Sequence, residues 1–137
     1  MPEIRSLDEL PLERLREALA GRVELAAVFG SVCAARTRAE SDVDIAVWPK
    51  PGVDVDGLVA LLMRALGTDA VDVTDLRRAD GTLQQVVATR GRWVYEESPG
   101  RFAAFAALAE RRFQDDLRRL PDRVRALDLW LERRGVA

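Results

Sequence analysis

The segment VFGSVCAARTRAESDVDIAVW, residues 28–48, decides how this sequence folds. It begins with the end of an apolar run, Val23 to Phe29, which is followed by Gly30 and Ser31. Residues 32–41 are mostly polar or small, and Asp42-Val43-Asp44 then opens a second apolar run. Short apolar runs bounded by turn-forming and polar residues are typical of buried β-strands. We therefore predict two strands joined by a short polar helix or loop.

The second strand carries two carboxylates on one face. Successive side chains of a strand point to opposite faces, so Asp42 and Asp44 lie together while Val43 and Ile45 take the other face. Neighbouring carboxylates are costly to keep ionised unless a cation lies between them, and Mg²⁺ favours oxygen ligands. The pair therefore predicts a magnesium site.

The Gly30-Ser31 turn predicts a phosphate cradle. A turn that ends a strand and opens a helix directs its backbone N–H groups and the positive helix end toward an anion, and glycine lets the backbone come close. The alternative is an ordinary turn beside a solvated strand charge at Asp42. The spacing of turn and acids favours the cradle.

A third acid is expected on the later strand Ala70 to Leu76. Alternation places Asp72 on the face opposite Val71 and Val73, and pairing of this strand beside the Asp42 strand would complete a three-carboxylate cluster. Asp75 is the rival third acid. It falls on the opposite face, where the role of a strand-end or helix-cap residue suits it better.

Gly-Ser, ten residues, then Asp-x-Asp and an apolar run resembles the signature of the DNA polymerase β-type nucleotidyltransferases, most closely the minimal single-domain ones. The resemblance implies an α+β fold in which helices pack on a small mixed β-sheet. It also implies a nucleoside triphosphate substrate, with ATP expected, and two Mg²⁺ ions. Asp42, Asp44 and Asp72 would bind metal and act in catalysis, and Gly30 and Ser31 would hold the phosphates.

The chain departs from the family pattern directly after the turn. Members usually continue with Arg-Ala-Arg-Gly, whereas residues 32–35 here are Val-Cys-Ala-Ala. Two arginines that would meet the triphosphate are therefore absent. Arg36 and Arg38 lie close enough in sequence to substitute, and we expect Arg36 to contact the nucleotide.

The rest of the chain predicts further elements around this motif. We expect a helix from Leu7 or Pro11 to Ala20, a helix over 57–65 capped by Asp54 or Asp56, a helix over 81–90, and an edge strand over 92–96. Residues 1–97 are thus predicted to form the minimal nucleotidyltransferase domain, and residues 98–137 a C-terminal helical extension.

The extension reads as long helices over 101–134, interrupted at Pro121 because proline breaks helix interiors. Its apolar stripe either packs back on the sheet or forms a docking surface for another protein. A tail of this kind resembles the antitoxin subfamily of minimal nucleotidyltransferases, which act with a HEPN-family ribonuclease toxin. That resemblance implies transfer of AMP from ATP to a toxin tyrosine.

Composition excludes several other kinds of protein. The chain has 137 residues, no histidine and a net charge of −2, which excludes histidine triads and predicts no direct nucleic-acid binding. The lone Cys33 makes an intramolecular disulfide impossible. No apolar run reaches membrane-spanning length and the start lacks a signal-peptide core, so a cytoplasmic protein without membrane contact is expected.

Three functions remain in view. The first is an adenylyltransferase that modifies a toxin, and the second is a catalytically degenerate domain that neutralises the toxin by binding alone, motivated by the lost arginines. A third, transfer to a small molecule, is disfavoured because no second domain is left to form an acceptor pocket. The apolar edge strand and tail also make a homo-oligomer possible.

Overall fold

The computed structural model describes residues 7–30 and 43–135 of the chain. A 3₁₀ turn over Leu7–Glu9 precedes four helices and four strands in these ranges. In chain order they are α1 (Leu12–Leu19), β1 (Val23–Phe29), β2 (Val43–Pro49), α2 (Val55–Leu66), β3 (Val71–Asp75), α3 (Gly81–Arg90), β4 (Arg92–Glu96) and α4 (Arg101–Arg133). The α+β fold expected from the sequence is confirmed.

The four strands form one mixed sheet in the order β3-β2-β1-β4. β1 runs antiparallel to both β2 and β4, whereas β2 and β3 are parallel. The sequence left open whether the Asp72 strand pairs beside the second strand of the motif, and it does. β4 is an edge strand, as predicted.

Helices cover both faces of the sheet because each strand alternates its side chains between two apolar layers. On one face α1 and α2 bury Leu15, Leu19, Leu58 and Leu62 against β1 and β2. On the other face α3 and α4 bury Val87, Phe105 and Ala109 against the small side chains of the central strands. The sheet is therefore packed against helices on both faces. The predicted site residues of the described chain lie at the edge where β1 ends and β2 and β3 begin.

The helix ends follow the local sequence signals. The Asp54 carboxylate accepts a hydrogen bond from the backbone N–H of Asp56 at 3.1 Å and caps α2. The Asp80 carboxylate caps α3 by accepting from the N–H of Leu83 at 2.8 Å. Such caps satisfy backbone donors that have no partner within the helix. Of the two proposed caps for α2, the structure selects Asp54.

The prediction that Pro121 interrupts the C-terminal helical region is wrong. α4 is a single helix of 33 residues with Pro121 inside it. Proline removes one backbone hydrogen bond and crowds the carbonyl of Leu117, a cost of about 3 kcal/mol that the good helix formers on both sides can offset. Pro121 is exposed, and the apolar stripe keeps its register across it.

Candidate active site

Two of the predicted acids meet at the end of the sheet where β1 stops and β2 and β3 start. Phe29 at the end of β1 pairs with Asp44, and Asp44 in turn pairs with Asp72 across the parallel strands. Neighbouring strands lie about 4.8 Å apart, and paired residues project to the same face. Asp44 and Asp72 are therefore side by side.

Gly30 brings the backbone against Asp44, one of these two acids. Its φ is +77°, in the left-handed region, and a Cβ added at this position would overlap with Oδ2 of Asp44. Only glycine can hold this conformation cheaply in so little space. The backbone at Gly30 therefore lies directly against the Asp44 side chain.

The two acids differ in their exposure. Asp44 lies on an inner strand and is half-buried, whereas Asp72 lies on the edge strand and is exposed. Val71 is buried on the opposite face of β3 and anchors the strand in the core. Within the described ranges, Asp72 forms no ion pair with an arginine or lysine. The fold thus presents an acid to solvent from a fixed backbone.

Asp75, the alternative third acid, has a different task. Its carboxylate accepts hydrogen bonds from the backbone N–H of Arg77 at 3.0 Å and from the Arg77 guanidinium at 2.9 and 3.2 Å. The hydrogen bonds from Arg77 hold the pKa of Asp75 below its usual value, and Arg78 adds a weaker attraction. The interpretation of Asp75 as a strand-end residue is supported by these contacts. Arg77 was not among the predicted residues, although an arginine two residues after a strand-end aspartate indicates such a contact.

Three predicted site residues, Ser31, Arg36 and Asp42, lie outside the described residues. Among those described, no group of three potential metal ligands occurs. Asp44 and Asp72 offer only oxygen donors, and both are fixed at the end of the sheet. The Gly30 backbone lies so close to Asp44 that an added Cβ would fill the space between them. This donor chemistry fits Mg²⁺ rather than zinc or copper, which favour nitrogen and sulfur ligands.

Comparison with known proteins identifies the family to which this fold belongs. The family model described as polymerase beta, nucleotidyltransferase matches residues 13–100. The chain belongs to this nucleotidyltransferase family. The matched region contains Gly30, Asp44 and Asp72, and it ends one residue before α4 begins. Among curated proteins, none matches this nucleotidyltransferase significantly.

Solved structures extend the similarity beyond the family domain. A toxin–antitoxin structure with AMP-PNP superposes with a TM-score of 0.67 at 27% identity, covering 90% of this chain and 99% of the other. The toxin–antitoxin structure MntA-HepT gives 0.61 at 26% identity, with 90% and 97% covered. A tri-AMPylated Shewanella oneidensis HEPN toxin in complex with its MNT antitoxin gives 0.58 at 26%, with 87% and 92% covered.

These overlaps are longer than residues 13–100, so the nucleotidyltransferase shares part of α4 with the solved chains as well. In the described part of the chain, no helix combines the length and the apolar character needed to cross a membrane.

Proposed function

We propose that this chain is a Mg²⁺-dependent adenylyltransferase that transfers AMP from ATP to a tyrosine hydroxyl of a HEPN-family ribonuclease toxin, and so acts as the antitoxin. The observation that carries the proposal is the register of Asp44 with Asp72 beside the Gly30 turn. The AMP-PNP in one similar structure and the AMPylated toxin in another support the choice of nucleotide and acceptor. With ATP as the substrate, the reaction would take place in the cytoplasm.

The nucleotide would lie along the turn. The backbone N–H groups of Gly30 and Ser31 would hold the β- and γ-phosphates, with Arg36 supplying charge from the following segment. Asp42, Asp44 and Asp72 would hold two Mg²⁺ ions. When bound, these ions neutralise the phosphate charge and the charge that develops on the leaving pyrophosphate.

Of the two acids that the structure describes, Asp72 is the better placed to meet the acceptor. It is exposed on an edge strand, whereas Asp44 has a strand on each side. The tyrosine oxygen would attack the α-phosphorus, its proton would pass to the Asp72 carboxylate, and the bond between the α-phosphorus and the β-phosphate oxygen would break. The products are an AMP-tyrosine ester and pyrophosphate.

We also propose that the catalytic part of the chain and the part that recognises the partner meet near residue 97. Residues 1–97 would bind the nucleotide, and residues 98–137 would serve the partner. The family match ends at residue 100 and α4 starts at Arg101, which supports a boundary at this point.

The direct test is incubation of the purified chain with ATP, Mg²⁺ and the HEPN-type protein encoded beside its gene. Label from α-³²P-ATP is expected on that protein, with a mass increase of one AMP on a tyrosine, whereas γ-³²P-ATP should leave it unlabelled. Absence of transfer from any nucleoside triphosphate would reject the enzyme.

The binding-only alternative needs its own test. A variant with Asp44→Asn and Asp72→Asn keeps the shape of the site but loses both negative charges. It is expected to bind the toxin and fail to neutralise it in cells. Full neutralisation by this variant would show that binding alone suffices.

A further inference from the structure

The distal half of α4 carries apolar side chains that no described part of the chain covers. Phe105 and Ala109, in the proximal half, are buried against α3 and the sheet. Beyond them, Leu117, Leu120, Val124 and Leu127 are each between 47% and 56% exposed. All residues from 121 to 130 are exposed. The proximal half of α4 therefore belongs to the hydrophobic core, whereas the apolar side chains of its distal half are exposed.

Four of the exposed apolar residues, together with the half-buried Phe113 and Leu131, follow a strict repeat. We define the distal stripe as Phe113, Leu117, Leu120, Val124, Leu127 and Leu131. Their alternating steps of four and three residues are the spacing that keeps one helix face against a partner helix over several turns. Leucines scattered on a surface would show no such period.

The distal segment has helix-forming residues but little tertiary packing to stabilise it. Isolated helices of about 12–15 residues are marginal in water even with good helix formers. Pro121 removes a hydrogen bond where the segment joins the packed half of α4. Packing of the distal stripe against a partner would supply the missing stabilisation.

Two copies of this chain pair poorly through the distal stripe. The stripe continues the helix face that packs on α3 and the sheet through Phe105 and Ala109. A second α4 running parallel would therefore enter space that the chain's own domain occupies. An antiparallel copy would be centred near residue 122. It would bring the flank that holds Arg119, Arg123 and the single acid Asp116 against the same flank of the other copy, so that positive charge faces positive charge.

The positive charge of the distal part of α4 favours a partner other than a second copy of this chain. Residues 111–134 contain eight arginines and five acids, a net charge of +3. The whole chain has −2, so the remainder carries −2 − 3 = −5. Arg119 and Arg123 line one flank of the distal stripe, and both are exposed. Asp116 lies on the same flank and contacts Arg123 at 3.4 Å, so the two arginines leave this flank with a net positive charge. An acidic rim on the partner would complement this flank.

We infer that the distal stripe docks into an apolar groove between helices of a second protein, with an acidic rim facing Arg119 and Arg123. Resting on the proposed function, that protein is the toxin that receives AMP. Docking at α4 would hold the acceptor on the enzyme through a surface that takes no part in the chemistry.

The experiment compares two leucines on the same helix. Leu127 lies in the distal stripe, while Leu129 is 48% exposed on the opposite face. The full chain is titrated with the HEPN-type protein encoded beside its gene. Leu127→Asp is expected to weaken binding about 100-fold because it buries an unpaired charge in the interface. Leu129→Asp, the matched control, should stay within about twofold.

A second pair of measurements tests the charged flank and separates docking from chemistry. Arg119→Glu with Arg123→Glu should weaken binding about tenfold and reduce its salt dependence. Affinity for AMP-PNP with Mg²⁺ should match the unchanged chain in all variants, and far-UV circular dichroism should confirm folding.

The outcomes separate cleanly. Equal binding by Leu127→Asp and Leu129→Asp, or no binding by the unchanged chain, would overturn the docking site. A dimer of the chain alone that Leu127→Asp dissociates would assign the stripe to self-association and overturn it too. Loss of binding in Leu127→Asp, combined with no AMP transfer by the unchanged chain, would support the docking site and reject the proposed enzyme.

Discussion

Asp72 and Asp75 are three residues apart on the same strand and have opposite surroundings. Asp72 lies beside Asp44 at the end of the sheet next to the Gly30 turn, and it is exposed. Asp75 lies on the other face at the other end of β3, where its side chain is only 10% exposed and held by Arg77. The Asp75 carboxylate is thus paired with a guanidinium at one end of β3, whereas the Asp72 carboxylate is exposed to solvent at the other end.

This contrast shows how a strand of five residues can hold one acid for the proposed site, Asp72, and a second acid with a structural contact, Asp75. The alternation of side chains decides the face, and the position along the strand decides the end of the sheet. An acid that already has a guanidinium partner has little charge to offer a metal ion. Function therefore follows the neighbours of a carboxylate rather than its residue type.

The largest effect is expected from Asp72→Asn. It removes the charge and the proton acceptor at the sheet end without disturbing the buried face of β3, so the rate of AMP transfer should fall about 1,000-fold. The initial rate with saturating ATP measures this, and thermal unfolding should show little change. Asp75→Asn is the matched control and should keep most of the activity. A larger loss of transfer rate in Asp75→Asn than in Asp72→Asn would contradict the roles assigned to the two acids.

Gly30→Ala should rank next. The new Cβ would overlap with Asp44 and force a non-glycine residue to a positive φ, so transfer should fall about 100-fold. Gly52→Ala is the control because Gly52 has φ +81° and open space around its Cβ position. Gly52→Ala should lose about 1 kcal/mol of unfolding free energy to backbone strain, and Gly30→Ala should lose more because it adds the overlap with Asp44. Equal activity in the two variants would contradict a close approach of the turn to Asp44.

Asp75→Asn should affect stability rather than chemistry. The variant loses charge-assisted hydrogen bonds to Arg77 at the end of β3, a loss of about 1–2 kcal/mol in unfolding free energy. Urea unfolding at pH 7 measures the difference. A larger loss of stability in Asp72→Asn than in Asp75→Asn would invert the roles assigned to the two ends of the strand.

The smallest effect is the pH dependence of this contribution. Because the folded pKa of Asp75 is lowered, its stabilisation is present above the unfolded value of about 4 and is lost as pH falls through the folded pKa. The stability gap between the unchanged chain and Asp75→Asn should therefore shrink between about pH 5 and pH 3. Urea unfolding across this range checks it. A constant gap would show that the Arg77 contact does not depend on the charge of Asp75.

Local signals predicted most of the elements because their causes lie within a few residues. The bounds of β1, α3 and β4 agree with the sequence prediction residue for residue, since apolar alternation, capping aspartates and glycines mark them. Pro121 shows where local signals fail. Its helix-breaking tendency is real, but the helix formers on both sides outweigh it.

The candidate site was predicted only in part. The sequence placed Asp72 on the correct face of its strand, yet it could not decide which strand would lie beside it. It could not show either that a Cβ at Gly30 would meet Asp44, because that contact joins two separate strands.

Residue spacing and side-chain alternation were enough to predict the family motif, the strands β1 and β2 that flank it, and the face of the sheet on which Asp44 and Asp72 lie. The common register of Asp44 and Asp72 and the exposure of the distal half of α4 became visible only in the folded chain. Strand pairing and burial depend on contacts between residues far apart in the chain, and no local pattern encodes them.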